Sequence, residues 1–275
     1  MSPFHIDPVT MRFLERHETL AHAMPGREVL DLGDALVLMD PVDTEPFWNR
    51  AVSLRWPAAR DAFDHRLTEL LALFAARDRR PHVWPSVAWN QPPDLVPRLF
   101  DAGFRDAGGG WFMVLADPAA SPPVDPGELS PEVTLDAVRE PVDALQVGQE
   151  AAMILVEAFS ADPALGDDIA ADVVLALRDP KVTLHLARVD GVPAAVAKAT
   201  TFDGASYLSS IGTRPRFQGR GLGTMVTRAA VGGSLAAGSH WVYLGVFDLN
   251  ERAVRLYRKL GFVPIGDVSP DLLLV

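Results

Sequence analysis

The sequence of 275 residues contains no cysteine. Disulfides, thiolate metal sites and cysteine nucleophiles are therefore excluded, and we predict a cytoplasmic protein that uses no metal. The phosphate-loop pattern G-x-x-x-x-G-K-[ST] is also missing, which excludes that class of nucleotide hydrolase. The first twenty residues carry acidic side chains and no apolar core, so no secretion signal is predicted.

Long apolar runs are scarce as well. The least polar stretch covers residues 229–247, and a membrane span needs about 18 or more apolar residues. Gly232, Gly233, Gly238 and Ser239 interrupt this stretch. Such punctuation favours a helix, a turn and a buried strand. We therefore predict no membrane segment.

Positively charged residues are fewer than negatively charged ones, with 25 Lys and Arg against 36 Asp and Glu, which gives a net charge of −11. This balance argues against nucleic acid as a partner. Residues 204–247, however, contain no Asp or Glu and include four arginines: Arg214, Arg216, Arg220 and Arg228. Either this segment binds an anion, or it exposes a solvated arginine face.

Five prolines fall within residues 117–131, where neither a helix nor a central strand can form. We predict a linker here, between an N-terminal domain of residues 1–125 and a C-terminal domain of residues 126–275. The segment VPRLFDAGF at 96–104 aligns without gaps with VRLYRKLGF at 254–262. A diverged duplication explains this match, and a chance similarity of short segments is the alternative.

Hydrophobic spacing after the linker predicts alternating helices and strands. The dipeptide Asp190-Gly191 is typical of a hairpin turn between two strands. We expect Asp167 or Asp168 to cap a helix. The predicted helices cover 140–160, 167–178, 222–230 and 251–260, and further strands cover 206–211 and 241–247. This order predicts an α/β fold, a mixed sheet flanked by helices, in two similar tandem domains.

The segment IGTRPRFQGRGLGT, residues 211–224, joins a predicted strand to a predicted helix. Its three glycines, Gly219, Gly221 and Gly223, allow the backbone to approach a ligand and to adopt positive φ. The free N–H groups and the dipole at a helix start favour an anion. We therefore predict a pyrophosphate-binding loop, whose spacing does not fit the dinucleotide fingerprint G-x-G-x-x-G.

The pattern Q/R-x-x-G-x-G/A at Gln218–Gly223 resembles the signature of the GNAT acetyltransferase superfamily. A predicted strand follows it, then Asn250, then AVRLYRKLGF at 253–262, which is similar to the fourth helix of that family. The resemblance covers about residues 136–265. It implies a GNAT fold and acetyl-CoA as co-substrate.

The resemblance also implies particular acetyl-CoA contacts. Arg214, Arg216 or Arg220 would reach phosphates, and Asn250 would contact the cofactor near the next helix. The backbone of one strand end would face the pantetheine arm: Ile211, Gly212 and Thr213. The amides of the loop and first helical turn would hold the pyrophosphate: Gln218, Gly219, Arg220, Gly221, Leu222, Gly223 and Thr224.

Tyr257 stands where many members of the superfamily place a general acid that protonates the departing CoA thiolate. That thiolate resembles a free thiol of pKa near 8.5, and a nearby phenol can donate a proton to it. The alternative role of Tyr257 is a core aromatic. For a general base the sequence offers four nearby candidates without distinguishing them: Glu157, His185, His240 and Asp248.

The N-terminal copy lacks the Gln-x-x-Gly-x-Gly pattern and carries Leu99 where the gapless alignment places Tyr257. We therefore expect it to be a structural partner that binds no acetyl-CoA. The predicted activity is transfer of an acetyl or short acyl group to the amine of a small molecule or peptide. The alternative is a non-catalytic module that binds or senses acyl-CoA. A homodimer is one arrangement we consider.

Overall fold

A computed structural model describes residues 4–23 and 26–275. The chain divides into two compact units. The first comprises residues 1–113, 246–254 and 264–275, and the second comprises residues 114–245 and 255–263. The α-helices within the described residues are α1 (Pro8–Ala23), α2 (Arg60–Ala75), α3 (Leu95–Asp101), α4 (Ala144–Phe159), α5 (Gly166–Ala176), α6 (Leu222–Ala236) and α7 (Glu251–Lys259).

The β-strands of the first half of the chain are short, and those of the second half are longer except for the last. Within the described residues they are β1 (Glu28–Asp31), β2 (Leu36–Met39), β3 (Arg50–Val52), β4 (His82–Trp84), β5 (Phe104–Asp106), β6 (Gly110–Leu115), β7 (Val133–Val138), β8 (Val182–Val189), β9 (Val192–Phe202), β10 (Ala205–Thr213), β11 (Trp241–Phe247), β12 (Phe262–Ser269) and β13 (Leu272–Leu274).

The first unit is built on a six-stranded sheet in the order β1-β2-β3-β4-β13-β5. The last strand of the chain, β13, lies between β4 and β5 and pairs with both, Leu272 opposite Val83 on one side and Asp106 on the other. Phe63 and Phe74 of α2 pack in one buried apolar cluster with Val83 and Leu272. The core of this unit therefore joins its earliest strands to its last one.

The second unit contains strands in the order β11-β10-β9-β8-β7. Neighbours pair antiparallel from β7 to β10, whereas β10 and β11 are parallel. The β8–β9 turn is formed by Asp190 and Gly191, which both have positive φ, +49° and +76°. This is the hairpin that the sequence predicts.

The predicted α/β fold, with two sheets flanked by helices, is confirmed. The helix predicted over 140–160 is α4, and the one predicted over 167–178 is α5. The expected caps were wrong, because α5 begins after Leu165 without a side-chain cap and Asp162 instead caps the preceding 3₁₀ turn. The division at residue 125 stays a prediction.

The proline-rich segment contains no α-helix or β-strand, and short 3₁₀ turns lie at Pro118–Ala120 and Pro126–Glu128. The segment belongs to the second unit, where Asp117 N–H donates to the carbonyl of Gly261 over 3.2 Å. Separately, no helix within residues 4–23 and 26–275 is long and apolar enough to cross a membrane.

Candidate active site

The parallel ladder between β10 and β11 stops partway along both strands. Ala205–Leu208 pair with Trp241–Leu244, and β10 then changes register between Ser209 and Gly212. Ser210 has a φ of +51°, a bulge conformation that non-glycine residues rarely adopt. This register change is in the pairing with β9, which resumes at Gly212 and Thr213, whereas the described pairing with β11 ends at Leu208. The edge of Ile211 to Thr213 on the β11 side is thereby left open to a ligand.

Helix α4 packs directly on this bulge. A Cβ atom at Gly212 would lie 3.0 Å from the Cβ of Ala158 and 3.5 Å from a methyl of Leu155. Real Cβ atoms seldom approach this closely, so glycine permits the contact. The end of β10 is therefore positioned by α4.

The loop after β10 leads to the N-terminus of α6. A side-chain N–H of Gln218 donates to the carbonyl of Thr213 over 3.2 Å, which closes the loop. Gly219 and Gly221 both have a φ of +80°, and no atom lies within 4 Å of a Cβ built on either. The loop therefore combines a left-handed backbone with open space beside it.

Gly221 is the residue that precedes α6, and the first helical hydrogen bond runs from Met225 N–H to its carbonyl over 3.0 Å. The amides of Leu222, Gly223 and Thr224 therefore precede the internal helical bonding. The first turn carries no acidic residue. Amides and helix dipole together make this end attractive to an anion.

Two of the four arginines in residues 204–247, the segment without Asp or Glu, form contacts within the protein. Arg214 is 6% exposed, donates to Glu157 and to the carbonyl of Pro193, and so lies inside the unit. Arg228 forms an ion pair with Glu128 and donates to two proline carbonyls of the 117–131 segment. The arginine count in the sequence therefore overstates the charge that a ligand can reach.

The other two arginines lie beside the loop. Arg216 stacks on the ring of Phe217, with 4.8 Å from its guanidinium carbon to the ring centroid. Arg220 forms a partly exposed ion pair with Glu132 over 3.2 Å. Such exposed pairs are weak, so Arg220 can exchange its partner for a bound anion.

Asn250 and Tyr257 stand at either end of α7. The side-chain oxygen of Asn250 accepts the N–H of Ala253 over 3.1 Å, as an N-cap does. Tyr257 is 6% exposed, and its ring lies edge-on to Phe262 with centroids 6.1 Å apart. Burial raises the pKa of the Tyr257 phenol, so this hydroxyl stays protonated throughout the neutral range and is a weaker acid than an exposed tyrosine.

The four candidate bases lie in different places. Glu157 accepts from Arg214, and this hydrogen bond holds the pKa of the carboxyl below its ordinary value. Burial lowers the pKa of His185 to about 4, and its imidazole lies under α6 near Gly233. His240 is exposed beside Gly204, before β11. Asp248 is partly exposed after β11, and its carboxylate accepts the N–H of Leu249.

Sequence reasoning missed the aromatic pair of β10 and β11. Tyr207 and Tyr243 are opposite one another in the parallel register, with ring centroids 5.2 Å apart. A Cβ at Gly245 would lie 3.4 Å from the Tyr207 hydroxyl, so this hydroxyl lies close to the place where the ladder ends. Aligning the two strands as a parallel pair would have found it.

These features define an α/β domain with a strand edge that opens beside a glycine-rich loop at a helix N-terminus, an arrangement typical of acyl-CoA-dependent transferases. Residues 152–262 match the sequence model of the acetyltransferase (GNAT) family. The resemblance that the sequence pattern predicts is therefore confirmed over these residues, which include the glycine-rich loop, Asn250 and Tyr257.

A relative and two solved structures extend this result. The chain is 33% identical over 180 residues to the mycothiol acetyltransferase of Nocardiopsis dassonvillei, an alignment that covers 60% of this chain and 51% of the relative. The chain thus spans about half the length of that curated relative.

A GCN5-related N-acetyltransferase from Kribbella flavida superposes with a TM-score of 0.70 at 22% identity, over 96% of this chain and 95% of that one. A tandem GNAT protein from the clavulanic acid biosynthesis pathway gives 0.63 at 13% identity, over 99% and 89%. These similarities show the fold, and they extend over nearly the whole chain.

Proposed function

We propose that this protein is an acetyl-CoA-dependent N-acyltransferase, which moves an acetyl or short acyl group to the amine of a small molecule or peptide. The observation that carries the proposal is the loop before α6. Gly219 and Gly221 hold positive φ with open space around them. A phosphate group needs that space and the backbone amides beside it.

The surrounding residues fit acetyl-CoA. The proposal assigns the pyrophosphate to the amides of Gln218 to Thr224, at the positive end of the α6 dipole. Arg216 and Arg220 would add charge at the phosphates. The strand end Ile211–Thr213, which lies beyond the described pairing with β11, would bind the pantetheine amides. The side-chain nitrogen of Asn250 would donate a hydrogen bond to the cofactor, while its side-chain oxygen caps α7.

Acetyl transfer by direct attack requires few protein groups. The lone pair of the amine forms a bond with the thioester carbonyl carbon, the carbon–sulfur bond breaks, and the sulfur leaves as thiolate. Tyr257 would donate its phenolic proton to that thiolate, and burial keeps it protonated until then. Its phenolate would recover a proton from solvent after the products leave.

The proton that the amine loses is assigned to no side chain. Glu157 contacts Arg214, the residue that follows β10, but this hydrogen bond stabilises the ionised form of Glu157 and lowers its proton affinity. His185 is buried beneath α6. The proposal therefore gives this proton to water in the acceptor site, with Glu157 keeping Arg214 in place.

The first unit has a structural role in this proposal. Leu99, which aligns with Tyr257, is fully buried in its apolar core, so it offers neither a phenol nor an exposed surface. The functional division that we propose remains a degenerate domain over residues 1–125 and an acetyltransferase domain over residues 126–275. Only the second would bind acetyl-CoA.

The decisive experiment uses two glycines with the same backbone geometry. Gly221 and Gly191 have φ of +80° and +76°, and neither has an atom within 4 Å of a Cβ position. Gly221→Asp should abolish CoA binding in calorimetry, whereas Gly191→Asp, which carries similar strain in a hairpin turn, should bind CoA normally. Undiminished CoA affinity in Gly221→Asp would refute the loop assignment.

Activity is tested separately, by thiol release from acetyl-CoA across a panel of amines. Release that depends on one amine establishes the transferase. Tight CoA binding without release for any amine would favour the alternative, a non-catalytic acyl-CoA-binding module.

A further inference from the structure

The second unit contains a cavity of about 310 Å³ at the other end of the sheet from the glycine-rich loop. It lies beside Gly204, just before β10, whereas the loop follows Thr213 at the end of that strand. A strand rises about 3.3 Å per residue, so the two places lie roughly 30 Å apart. The cavity is therefore separate from the proposed acetyl-CoA site.

Two cations line this cavity, Arg139 and Lys181. Both are exposed residues, and among the ion pairs within residues 4–23 and 26–275 neither is paired with a carboxylate. Carboxylates outnumber cations by 36 to 25. Two adjacent cations left without a carboxylate therefore mark a local surplus of positive charge.

Arg139 is held in a defined orientation. Its Nε–H donates to the hydroxyl of Thr183 over 2.7 Å, and Thr183 is itself buried. This bond uses one of the five N–H groups of the guanidinium. Lys181 lies over Phe202, with 5.3 Å from Nζ to the ring centroid. Both cations are thus placed by neutral partners, which leaves their charge for a ligand.

The C-terminus of α6 also borders the cavity, and cations often neutralise such helix ends. Here the chain satisfies that end internally. The N–H groups of Ala237, Gly238 and Ser239 donate to carbonyls of the last turns over 3.0–3.1 Å. In the described part of the chain, Arg139 and Lys181 donate to none of those carbonyls. Helix capping therefore does not account for them.

Hydroxyl groups add a directed donor. Thr201 and Ser239 line the cavity, and each forms a hydrogen bond with the hydroxyl of the fully buried Ser206, over 2.6 and 2.7 Å. Either partner can be the donor in each bond. When Ser206 donates to one of them, that hydroxyl has its own proton left for a ligand in the cavity. Asp203 at the rim is the one carboxylate of the lining, so the lining carries a net charge of +1.

From these observations we infer that the cavity is a second ligand site, which binds a small organic anion through a phosphate or carboxylate group. Arg139 and Lys181 provide the charge, and the hydroxyl of Thr201 or Ser239 provides an O–H donor. Phe202 provides an apolar surface for the rest of the molecule. The volume lies at the lower end of ligand pockets, about 300–1,000 Å³, so the ligand is smaller than CoA.

The test measures binding of inorganic phosphate and of citrate to the full chain by calorimetry at low ionic strength. We expect saturable binding of at least one probe, weakened at least about tenfold in the double variant Arg139→Gln/Lys181→Gln. The matched control is Arg258→Gln/Lys259→Gln, which removes the same charge from exposed positions on α7. Lys181→Gln alone, at an exposed residue, should weaken binding without disturbing the fold.

Each outcome decides the inference. Phosphate binding without citrate binding supports it and indicates a phosphorylated ligand, and the reverse indicates a carboxylate. No saturable binding of either probe overturns it, as does equal weakening in both double variants. Binding that survives Arg139→Gln/Lys181→Gln but disappears in Gly221→Asp would also overturn it, because the probe would then occupy the loop.

Discussion

The guanidinium of Arg214, at the end of β10, donates to the carboxylate of Glu157 in the last turns of α4. Arg214 is buried and Glu157 is partly exposed, with side-chain exposures of 8% and 39%. A second N–H of Arg214 donates to the carbonyl of Pro193 over 3.0 Å. The pair therefore fixes the strand end that we propose for pantetheine to a neighbouring helix and strand.

Glu157→Gln should lower stability slightly at neutral pH and not in acid. The hydrogen bond from Arg214 lowers the folded-state pKa of Glu157, so its stabilisation is present above the ordinary pKa and is lost as pH falls through the lower one. We expect Tm at pH 7 to fall by about 1–3 °C. Melting curves from pH 7 to 3 should show the difference from wild type disappearing.

The control for this change is Glu28→Gln, which removes a carboxylate from an exposed position on β1. It should not alter Tm at either pH. A Glu157→Gln variant whose Tm difference stays constant down to pH 3 would contradict the ionic origin of the effect.

The contact between Gly212 and Ala158 makes a prediction about packing. Gly212→Ala would place a methyl group 3.0 Å from the Cβ of Ala158, and overpacking of this kind costs about 1–3 kcal/mol. Ala158→Gly removes that clash. In a double-mutant cycle of urea unfolding, we expect the double variant to lose less free energy of unfolding than the two single variants lose together. Strict additivity would show that α4 does not rest on the bulge.

The elements that the sequence predicts well are local. The Asp190-Gly191 hairpin follows from two adjacent residues that tolerate positive φ, and both adopt it. The start of α6 at Leu222 follows from the glycine before it. In such cases the determinants lie within a few residues, so no knowledge of distant segments is needed.

Pairing between distant segments could not be predicted. β13 lies between β4 and β5, about 190 and 165 residues away in sequence, and no local pattern specifies that partner. Likewise, Arg228 belongs to residues 204–247, the segment without Asp or Glu, but pairs with Glu128. Charge counted along the sequence cannot show which arginines the fold itself occupies.

Two glutamates of α1 should affect stability in opposite directions. Burial raises the pKa of Glu15, whose carboxylate accepts from Ser53. A raised pKa means that stability is lost as pH rises from the ordinary value of 4.5 toward the folded one. Glu15→Gln should therefore raise Tm at pH 7 and leave it unchanged near pH 4. A lower Tm at pH 7 would contradict this.

Glu18 lies one turn further along α1. Burial alone would raise its pKa, but the charges of Arg50, at 2.8 Å, and of His22, at 3.0 Å, hold it below the ordinary value. Stability from this group is present above 4.5 and is lost as pH falls further. Because Arg50 is fully buried, Glu18→Gln should cost about 3–5 kcal/mol at pH 7. Urea unfolding of both variants at pH 7 and 4 checks the opposite signs.

Tyr257→Phe separates a catalytic from a structural role for the buried phenol of α7. The ring and its edge-on contact with Phe262 remain in the variant, so the fold and CoA affinity should persist. If the hydroxyl protonates the CoA thiolate, its loss removes general acid catalysis, typically about 10²–10⁴-fold. Turnover should fall within that range, and kcat should suffer more than KM.

The pH profile tests whether the Tyr257 hydroxyl stays protonated during turnover. Burial raises the pKa of the Tyr257 hydroxyl, so the wild-type acid stays protonated and its contribution should not decline between pH 7 and 9. In the variant the sulfur leaves as a free thiolate, and its leaving ability follows the pKa of the thiol, near 8.5, and not the pH. The ratio of wild-type to Tyr257→Phe turnover should therefore stay constant between pH 7 and 9. Turnover of the variant within about threefold of wild type, with normal CoA binding, would assign the proton to water and leave Tyr257 as a core aromatic.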